Sequence, residues 1–416
     1  MRVLHVVNAA LPDVQSGYTL RTRSVLRAQR RAGFELAVVS VDFGRRAAAP
    51  EPAAVDGIPH KPLGYPLDGD RRGWGLRLAK RWPGDGSRRG RLWLLEGWAG
   101  EQGADWVRAF SSDLVQAHSP FWVAGTGRRL ARAARVPWVY ELRGLWAETA
   151  VAQGDDRPGS TRHRRDLAAE RRLARAADGC LPIGASLAAE VERWGARVLG
   201  VAPNVVDPER FAPGPKDARL RAELGLGDGP VVGYVGTLRP LEGIDRCLDA
   251  LFALPQVRLL LVGGGESLEE LRGVVARRGL ADRVVFTGPV TPERVVDHYR
   301  LIDVFWVPRP DHRVTRLVTP LKPLEAMACG LPVVTSALPA LTELVGVTGE
   351  RGLAFPVTAP ARLAELTAAL LDDGPRRERI GAAARAWILA HRTEAALGRA
   401  YREAFARLGV PARAAR

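Results

Sequence analysis

The residues of this chain best able to do chemistry are Lys322 and Glu325, in the run Thr319-Pro320-Leu321-Lys322-Pro323-Leu324-Glu325-Ala326-Met327-Ala328-Cys329-Gly330-Leu331-Pro332. Pro320 and Pro323 suit a first helical turn, where a missing N–H costs little. Gly330 suits the left-handed residue just past the end, and Pro332 stops continuation. Leu324, Met327 and Ala328 share a face that should be buried. Lys322 and Glu325 lie off that face, near the positive end of the helix dipole, where an anionic ligand is welcome. Lysine is scarce: Lys61, Lys80, Lys216 and Lys322 stand against a large excess of arginine. That scarcity makes Lys322 conspicuous.

Further candidates sit at the ends of short apolar runs. Tyr234-Val235-Gly236-Thr237-Leu238-Arg239-Pro240-Leu241-Glu242-Gly243 reads as a strand ending in glycine, a basic residue, and a glycine that opens a helix. Such a loop suits a phosphate. Leu261-Val262-Gly263-Gly264-Gly265-Glu266 is a second Gly-rich strand end, without the third glycine of a dinucleotide fingerprint. Val285-Phe286-Thr287-Gly288-Pro289-Val290 is a third. The first loop, Asn8 to Thr19, also lacks that fingerprint, which argues against a classical dehydrogenase. Gly17 there precedes a helix; it reads as a plain loop glycine or as a point where backbone approaches an anion. Asp68-Gly69-Asp70 has the form of a metal-holding Asp-x-Asp, but lies in a Gly/Pro/Arg loop with no strand before it and reads as a solvated turn. The sequence offers no good metal site, and the charge-dense segment Arg162–Arg175 lacks the interleaved aromatics of a nucleic-acid binder.

The elements that must position these residues alternate. Val3–Val7, Leu36–Val41, Leu114–His118 and Trp138–Leu142 read as strands, with helices at Leu20–Arg31 and Arg162–Ala177. Residues Arg45 to Gly90 read as a long excursion with little regular structure. A second alternation follows Pro203-Asn204-Val205-Val206-Asp207, with strands at Val231–Val235, Val257–Val262, Val284–Thr287, Val304–Val307 and Val333–Thr335. Alternation of this kind implies parallel sheets wrapped on both faces. The expected class is therefore α/β, with two doubly wound, Rossmann-like domains facing a central cleft. The expected division is 1–203, 204–391, and a terminal helical segment 392–416 that packs back on the first domain.

At 416 residues, 46% of them hydrophobic, two domains are the default. The net charge of +15 is almost all arginine, and reads as a GC-rich bacterial genome rather than nucleic-acid binding. Cys180, Cys247 and Cys329 show no disulfide or metal spacing, which fits a reducing cytoplasm. The N-terminus runs into a strand rather than a signal peptide. The basic segments Arg21–Arg31 and Arg162–Arg175 suggest contact with the inner face of an anionic membrane.

Together these motifs resemble the family-4 retaining glycosyltransferases of the GT-B fold, over nearly the whole length. Gln15-Ser16-Gly17-Tyr18-Thr19-Leu20-Arg21-Thr22-Arg23 and Thr319–Cys329 resemble the subgroup associated with exosortase and exopolysaccharide systems. The resemblance implies that the C-terminal domain binds a nucleotide-sugar. Glu325 then takes the ribose hydroxyls, since a carboxylate accepts two hydrogen bonds from a diol. Gly264 and Phe286 to Val290 surround the base; Arg239 and Lys322 hold the pyrophosphate, beside Gly236 and Thr319. Gly17 closes on the distal phosphate, and His118 lies near the transferred sugar. Tyr18, Glu141, Arg143 and Trp146 line the acceptor side. One departure stands out: the first of two glutamates that family members carry falls at Leu317, which cannot read a sugar hydroxyl. Arg309, Arg316 and Thr319 are the nearby polar candidates to replace it.

The implied reaction moves a sugar, with a UDP-sugar favoured, to a hydroxyl acceptor with retention at the anomeric carbon. It implies no cofactor beyond the nucleotide-sugar co-substrate and no nucleic-acid partner. A lipid-linked glycan in cell-surface polysaccharide or glycolipid synthesis is the expected acceptor, and a soluble specialised metabolite the rival. A nucleotide-sugar 2-epimerase or a catalytically degenerate partner subunit would share the fold.

Overall fold

Short Val/Leu runs bounded by Gly, Pro or Asp fold as parallel strands buried on both faces, and they do so in two separate units. The computed structural model describes residues 1–9, 16–46, 53–65 and 103–410. One unit comprises Met1–Pro203 together with the chain from Glu394 onward; the other is Asn204–Thr393.

In the first unit, strands β1 (Arg2–Val7), β2 (Glu35–Arg46), β3 (Ala53–Val55), β4 (Ile58–Tyr65), β5 (Leu114–His118), β6 (Trp138–Leu142) and β7 (Gly179–Pro182) form one sheet in the order β3-β4-β2-β1-β5-β6-β7. Only the β3–β4 pair is antiparallel among the described strands. Helix Gly17–Arg31 begins earlier than its apolar stripe predicts. Ser16 and Thr19 cap each other reciprocally and satisfy N–H groups of the first turn. The β3–β4 hairpin corrects the reading of residues 45–90 as an irregular excursion. Asp56 and Gly57 turn with φ of 51° and 74°, the left-handed pair that a two-residue hairpin requires. Pro59 and Pro62 had hidden the strand period of β4. The Asp68-Gly69-Asp70 motif lies outside the described residues.

In the second unit, β8 (Val231–Val235), β9 (Arg258–Val262), β10 (Val284–Gly288), β11 (Val304–Val307), β12 (Val333–Ser336) and β13 (Leu353–Phe355) pair in parallel, in the order β10-β9-β8-β11-β12-β13. Tyr234, Phe305 and Trp306 are fully buried in its core. Helix Lys322–Ala328 ends as its sequence predicts. Gly330 takes φ 76°, its N–H reaches Met327 O, and the Leu331 N–H reaches Ala326 O. This is a Schellman closure.

The strand order reverses at β1/β5 in one sheet and at β8/β11 in the other. In open α/β sheets, ligands bind outside the carboxyl ends of the strands at such a switch point. Helix Glu394–Leu408 belongs to the first unit and packs on helix Gly17–Arg31. Gly398 there lets the two backbones close, since a Cβ would lie 2.9 Å from Ala28 O.

Candidate functional site

At the β8/β11 switch point the Gly-rich strand ends interlock. Gly236 N–H donates to Val262 O, Leu238 N–H to Gly264 O, and Gly263 N–H to Gly288 O. Gly236 has φ 145°, and a Cβ on it would meet Lys322 Cε at 2.3 Å. The glycine therefore makes room for the lysine stem. Gly264 and Val290 are half-buried beside this seam, and Arg239 is exposed.

Lys322 is not a solitary cation. Its Nζ donates to Glu242 Oε1 at 2.6 Å. Arg309 grips the same carboxylate with both arms, Nε to Oε2 at 3.0 Å and Nη2 to Oε1 at 2.9 Å. The side chains of Glu242 and Arg309 are 3% and 8% exposed, whereas Lys322 keeps 21%. Burial pushes the Glu242 carboxyl up, but Arg309 and Lys322 outweigh it and hold the group far below the usual carboxylate range. Burial lowers the Lys322 ammonium from its usual value; Glu242 opposes that shift, while Arg309 and Arg239 add to it. Glu242 stands inside the Gly236–Gly243 loop, where the local sequence assigns it no role.

Glu325 is half-buried, and its Oε2 accepts from the Tyr299 hydroxyl at 2.6 Å. Burial raises its pKa, against that hydrogen bond and the charges of Arg210 and Lys322. Thr319 is buried, and its carbonyl accepts from Asn204 Nδ2 at 2.7 Å. Leu317 is buried at the end of a short helix, Arg313–Leu317, as an apolar side chain should be. Neither arginine is an open replacement for the missing acid. Arg309 is committed to Glu242, and Arg316 to Asp311.

The first unit gathers its candidates at the carboxyl ends of β1, β5 and β6, with a different texture. Glu141 and His118 are wholly buried. Glu141 Oε1 takes Arg21 Nη2 and Arg143 Nε, each at 3.0 Å. Its Oε2 accepts from Gln116 Nε2 and the Tyr401 hydroxyl, each at 2.6 Å. A carboxylate can only accept, so it orients everything behind it. Gln116 Oε1 accepts from Gln29 Nε2, and Gln29 Oε1 faces His5 Nε2 at 3.1 Å. His5 Nδ1 therefore accepts from His118 Nε2 across 2.9 Å. His118 Nδ1 is then left without a proton, 3.4 Å from Glu141. Burial and Arg143 push His118 down to about 4, so it is neutral near pH 7.

His118, expected near the transferred sugar, and Glu141, expected on the acceptor side, are both wholly buried rather than exposed. Both belong to a buried chain of hydrogen bonds. His5, Gln29, Gln116, Arg21 and Tyr401 complete that chain and were missed. Their signal was a polar residue in the middle of an apolar strand, as in Leu4-His5-Val6 and Val115-Gln116-Ala117.

Above this chain, Arg143 lies over the Tyr18 ring at 4.8 Å and donates to Thr22 Oγ1. The Tyr18 hydroxyl accepts from Asn8 N–H, and Trp122 Nε1 reaches Asn8 Oδ1 at 3.3 Å. Trp146 is 38% exposed, edge-on to Trp122 at 5.7 Å. The Glu170 carboxyl, pushed up to about 8 by burial, accepts from the Trp146 N–H. Gly17 is exposed, with open space around the position of a Cβ. Several arginines of the segment Arg21–Arg31, which suggested a membrane face, have partners within the chain. Arg23 meets Asp56, Arg27 and Arg31 meet Glu394, and Arg21 is buried on Glu141. No helix among the described residues is long and apolar enough to cross a membrane.

Residues 216–387 match the family model "Glycosyl transferases group 1", and residues 16–204 match "Glycosyl transferase 4-like domain". Each of the two units thus matches a glycosyltransferase family model. A relative described as D-inositol 3-phosphate glycosyltransferase, from Acidothermus cellulolyticus, is 36% identical over 291 residues, 65% of this chain and 62% of that protein. A GDP-mannose-dependent alpha-(1-6)-phosphatidylinositol monomannoside mannosyltransferase from Mycolicibacterium smegmatis is 37% identical over 45% of this chain and 50% of its own length. The chain thus spans between half and two thirds of these curated relatives. Sucrose-phosphate synthase from Thermosynechococcus elongatus superposes with a TM-score of 0.72, at 21% identity, over 98% of this chain and 99% of that one. Anabaena HepE, solved with UDP, superposes at 0.70 and 21% identity, over 98% and 100%. The fold is GT-B.

Proposed function

We propose that this chain moves a sugar from a nucleoside diphosphate sugar to a hydroxyl acceptor, with retention at the anomeric carbon. The observation that carries the reading is the placement of Lys322, Arg239 and Glu325 around interlocked glycine loops at the β8/β11 switch point. Lys322 and Arg239 neutralise the diphosphate as it departs, which is the largest charge change in such a reaction. Glu325, with one oxygen steadied by Tyr299, takes the ribose diol. Gly264 and Val290 border the base. No protein nucleophile is invoked; the leaving phosphate oxygen takes the acceptor proton on the same face, and the protein works by positioning.

On the acceptor side, Tyr18 and Trp146 offer a partly exposed aromatic surface, with Arg143 stacked on the Tyr18 ring and held by Glu141. The relatives' descriptions name an inositol phosphate and a phosphatidylinositol mannoside as acceptors. A polyol carrying a phosphate or a lipid is therefore the acceptor class we favour. A uridine diphosphate sugar remains the donor expected from the sequence; the mannosyltransferase relative makes GDP-mannose the competitor.

A thermal-shift screen of UDP, GDP and ADP, followed by product analysis with and without acceptor, tests the reading. Stabilisation by one diphosphate and acceptor-dependent sugar transfer are expected. Isomerised nucleotide-sugar formed without acceptor would replace the transferase with an epimerase. No stabilisation by any diphosphate would overturn the reading.

A further inference from the structure

Glu242 occupies an unusual place for an acid: buried beside a site that is to hold a diphosphate. A bare carboxylate there would repel the ligand. Arg309 removes that objection, because its two-armed grip cancels the charge of Glu242 and fixes the orientation of the carboxylate. The third contact, from Lys322 Nζ at 2.6 Å, then draws a flexible four-carbon side chain to one point. Below the lysine lies the Tyr234 ring, 5.4 Å from Nζ. Behind its stem is Gly236, with no side chain to obstruct it. The three charges sum to one net positive charge, and Lys322 is the member still open to solvent.

We infer that Glu242, clamped by Arg309, is the positioning residue that holds the Lys322 ammonium where the donor's diphosphate binds. The inference rests on the donor-site reading above. Holding the lysine in place beforehand spares the rotamer entropy that a free lysine loses when it meets a phosphate. The groups facing Lys322 are Glu242 and Arg239 on the loop after β8, Tyr234 on β8, and Arg309 after β11. Glu325 lies on its own helix, and the Tyr299 hydroxyl sits 3.4 Å from the Lys322 carbonyl. Of these, Glu242 is the group that keeps the ammonium protonated against burial and two arginines. Removing its charge lowers the pH at which Lys322 loses its proton.

Two measurements on the full chain test this. In the first, UDP and GDP are titrated calorimetrically into the wild type, Glu242→Gln and Glu242→Asp, from neutral to alkaline pH. Glu242→Gln is expected to weaken binding roughly tenfold to a hundredfold at neutral pH, the scale of a misplaced site group. Its affinity should also fall away at lower pH than in the wild type, and Glu242→Asp should recover part of both losses. In the second, an amine-selective acylating reagent is applied across the same pH range and Lys322 is read by mass spectrometry, which is practical with so few lysines. Lys322 should react at lower pH in Glu242→Gln. Should that variant fail to fold, Glu242→Asp carries both tests with a smaller expected shift. Unchanged affinity and an unchanged labelling edge, in a wild type that binds UDP or GDP, would overturn the inference alone. A wild type that binds neither diphosphate would remove the donor-site reading and this inference with it.

Discussion

Each unit holds one carboxylate between cations at the carboxyl end of its sheet, and the two are finished differently. Glu141 is ringed by Arg21, Arg143, Gln116 and Tyr401, all turned inward. Glu242 is ringed by Arg309 and Lys322, and Lys322 remains partly in solvent. The first arrangement keeps its charges inside the fold. The second keeps one charge that a ligand can use. A buried ion cluster is thus no sign of a binding site by itself; the decisive feature is whether one member stays reachable.

The largest expected effect breaks the first cluster. Glu141→Ala leaves two buried guanidinium groups without a counter-ion, a loss on the order of 3–5 kcal/mol. Urea unfolding should register it, and wild-type stability in this variant would show the cluster to be dispensable. Lys322→Ala should behave in the opposite way. Arg309 still satisfies Glu242, so stability should hold while turnover falls about a hundredfold. A large drop in melting temperature with turnover kept would reverse the contrast.

Acidification should also separate the two clusters. His118 sits at about 4 in the folded chain against an ordinary 6.5, so the unfolded chain binds more protons between those values. Stability must therefore fall as pH drops through that window. His118→Gln should flatten the fall as read by melting temperature against pH, and an unchanged slope would remove His118 as its source. The smallest effect is expected at Trp146, whose side chain is partly exposed. Trp146→Ala should raise the acceptor KM by a few-fold, about 1 kcal/mol of lost contact, with donor binding unchanged. A matching loss of donor affinity would take Trp146 off the acceptor side.

The sequence made the second unit more legible than the first. Helix Lys322–Ala328 announced its own start and stop through Pro323 and Gly330. The glycine loops after β8, β9 and β10 marked strand ends through residues that no other side chain could replace. What stayed hidden depended on distance along the chain. Glu242 and Lys322 are 80 residues apart and Tyr401 and Glu141 are 260 apart, and local spacing carries no trace of either pairing. His118 was legible as a strand-end histidine, but its burial depends on His5, Gln29 and the returning helix Glu394–Leu408. The β3–β4 hairpin was readable from Asp56-Gly57 and was lost behind two prolines. Leu317 was identified from the motif as the place where an acid is missing, and its burial agrees with a packing role.

The most direct test of the donor site is a calorimetric comparison of the wild type with Lys322→Ala and Glu325→Ala, titrated with UDP and GDP. The wild type should bind one of the two diphosphates, and each variant should lose most of that affinity while its unfolding curve stays close to wild type. Wild-type affinity retained in both variants would contradict the assignment of Lys322 and Glu325 to the donor.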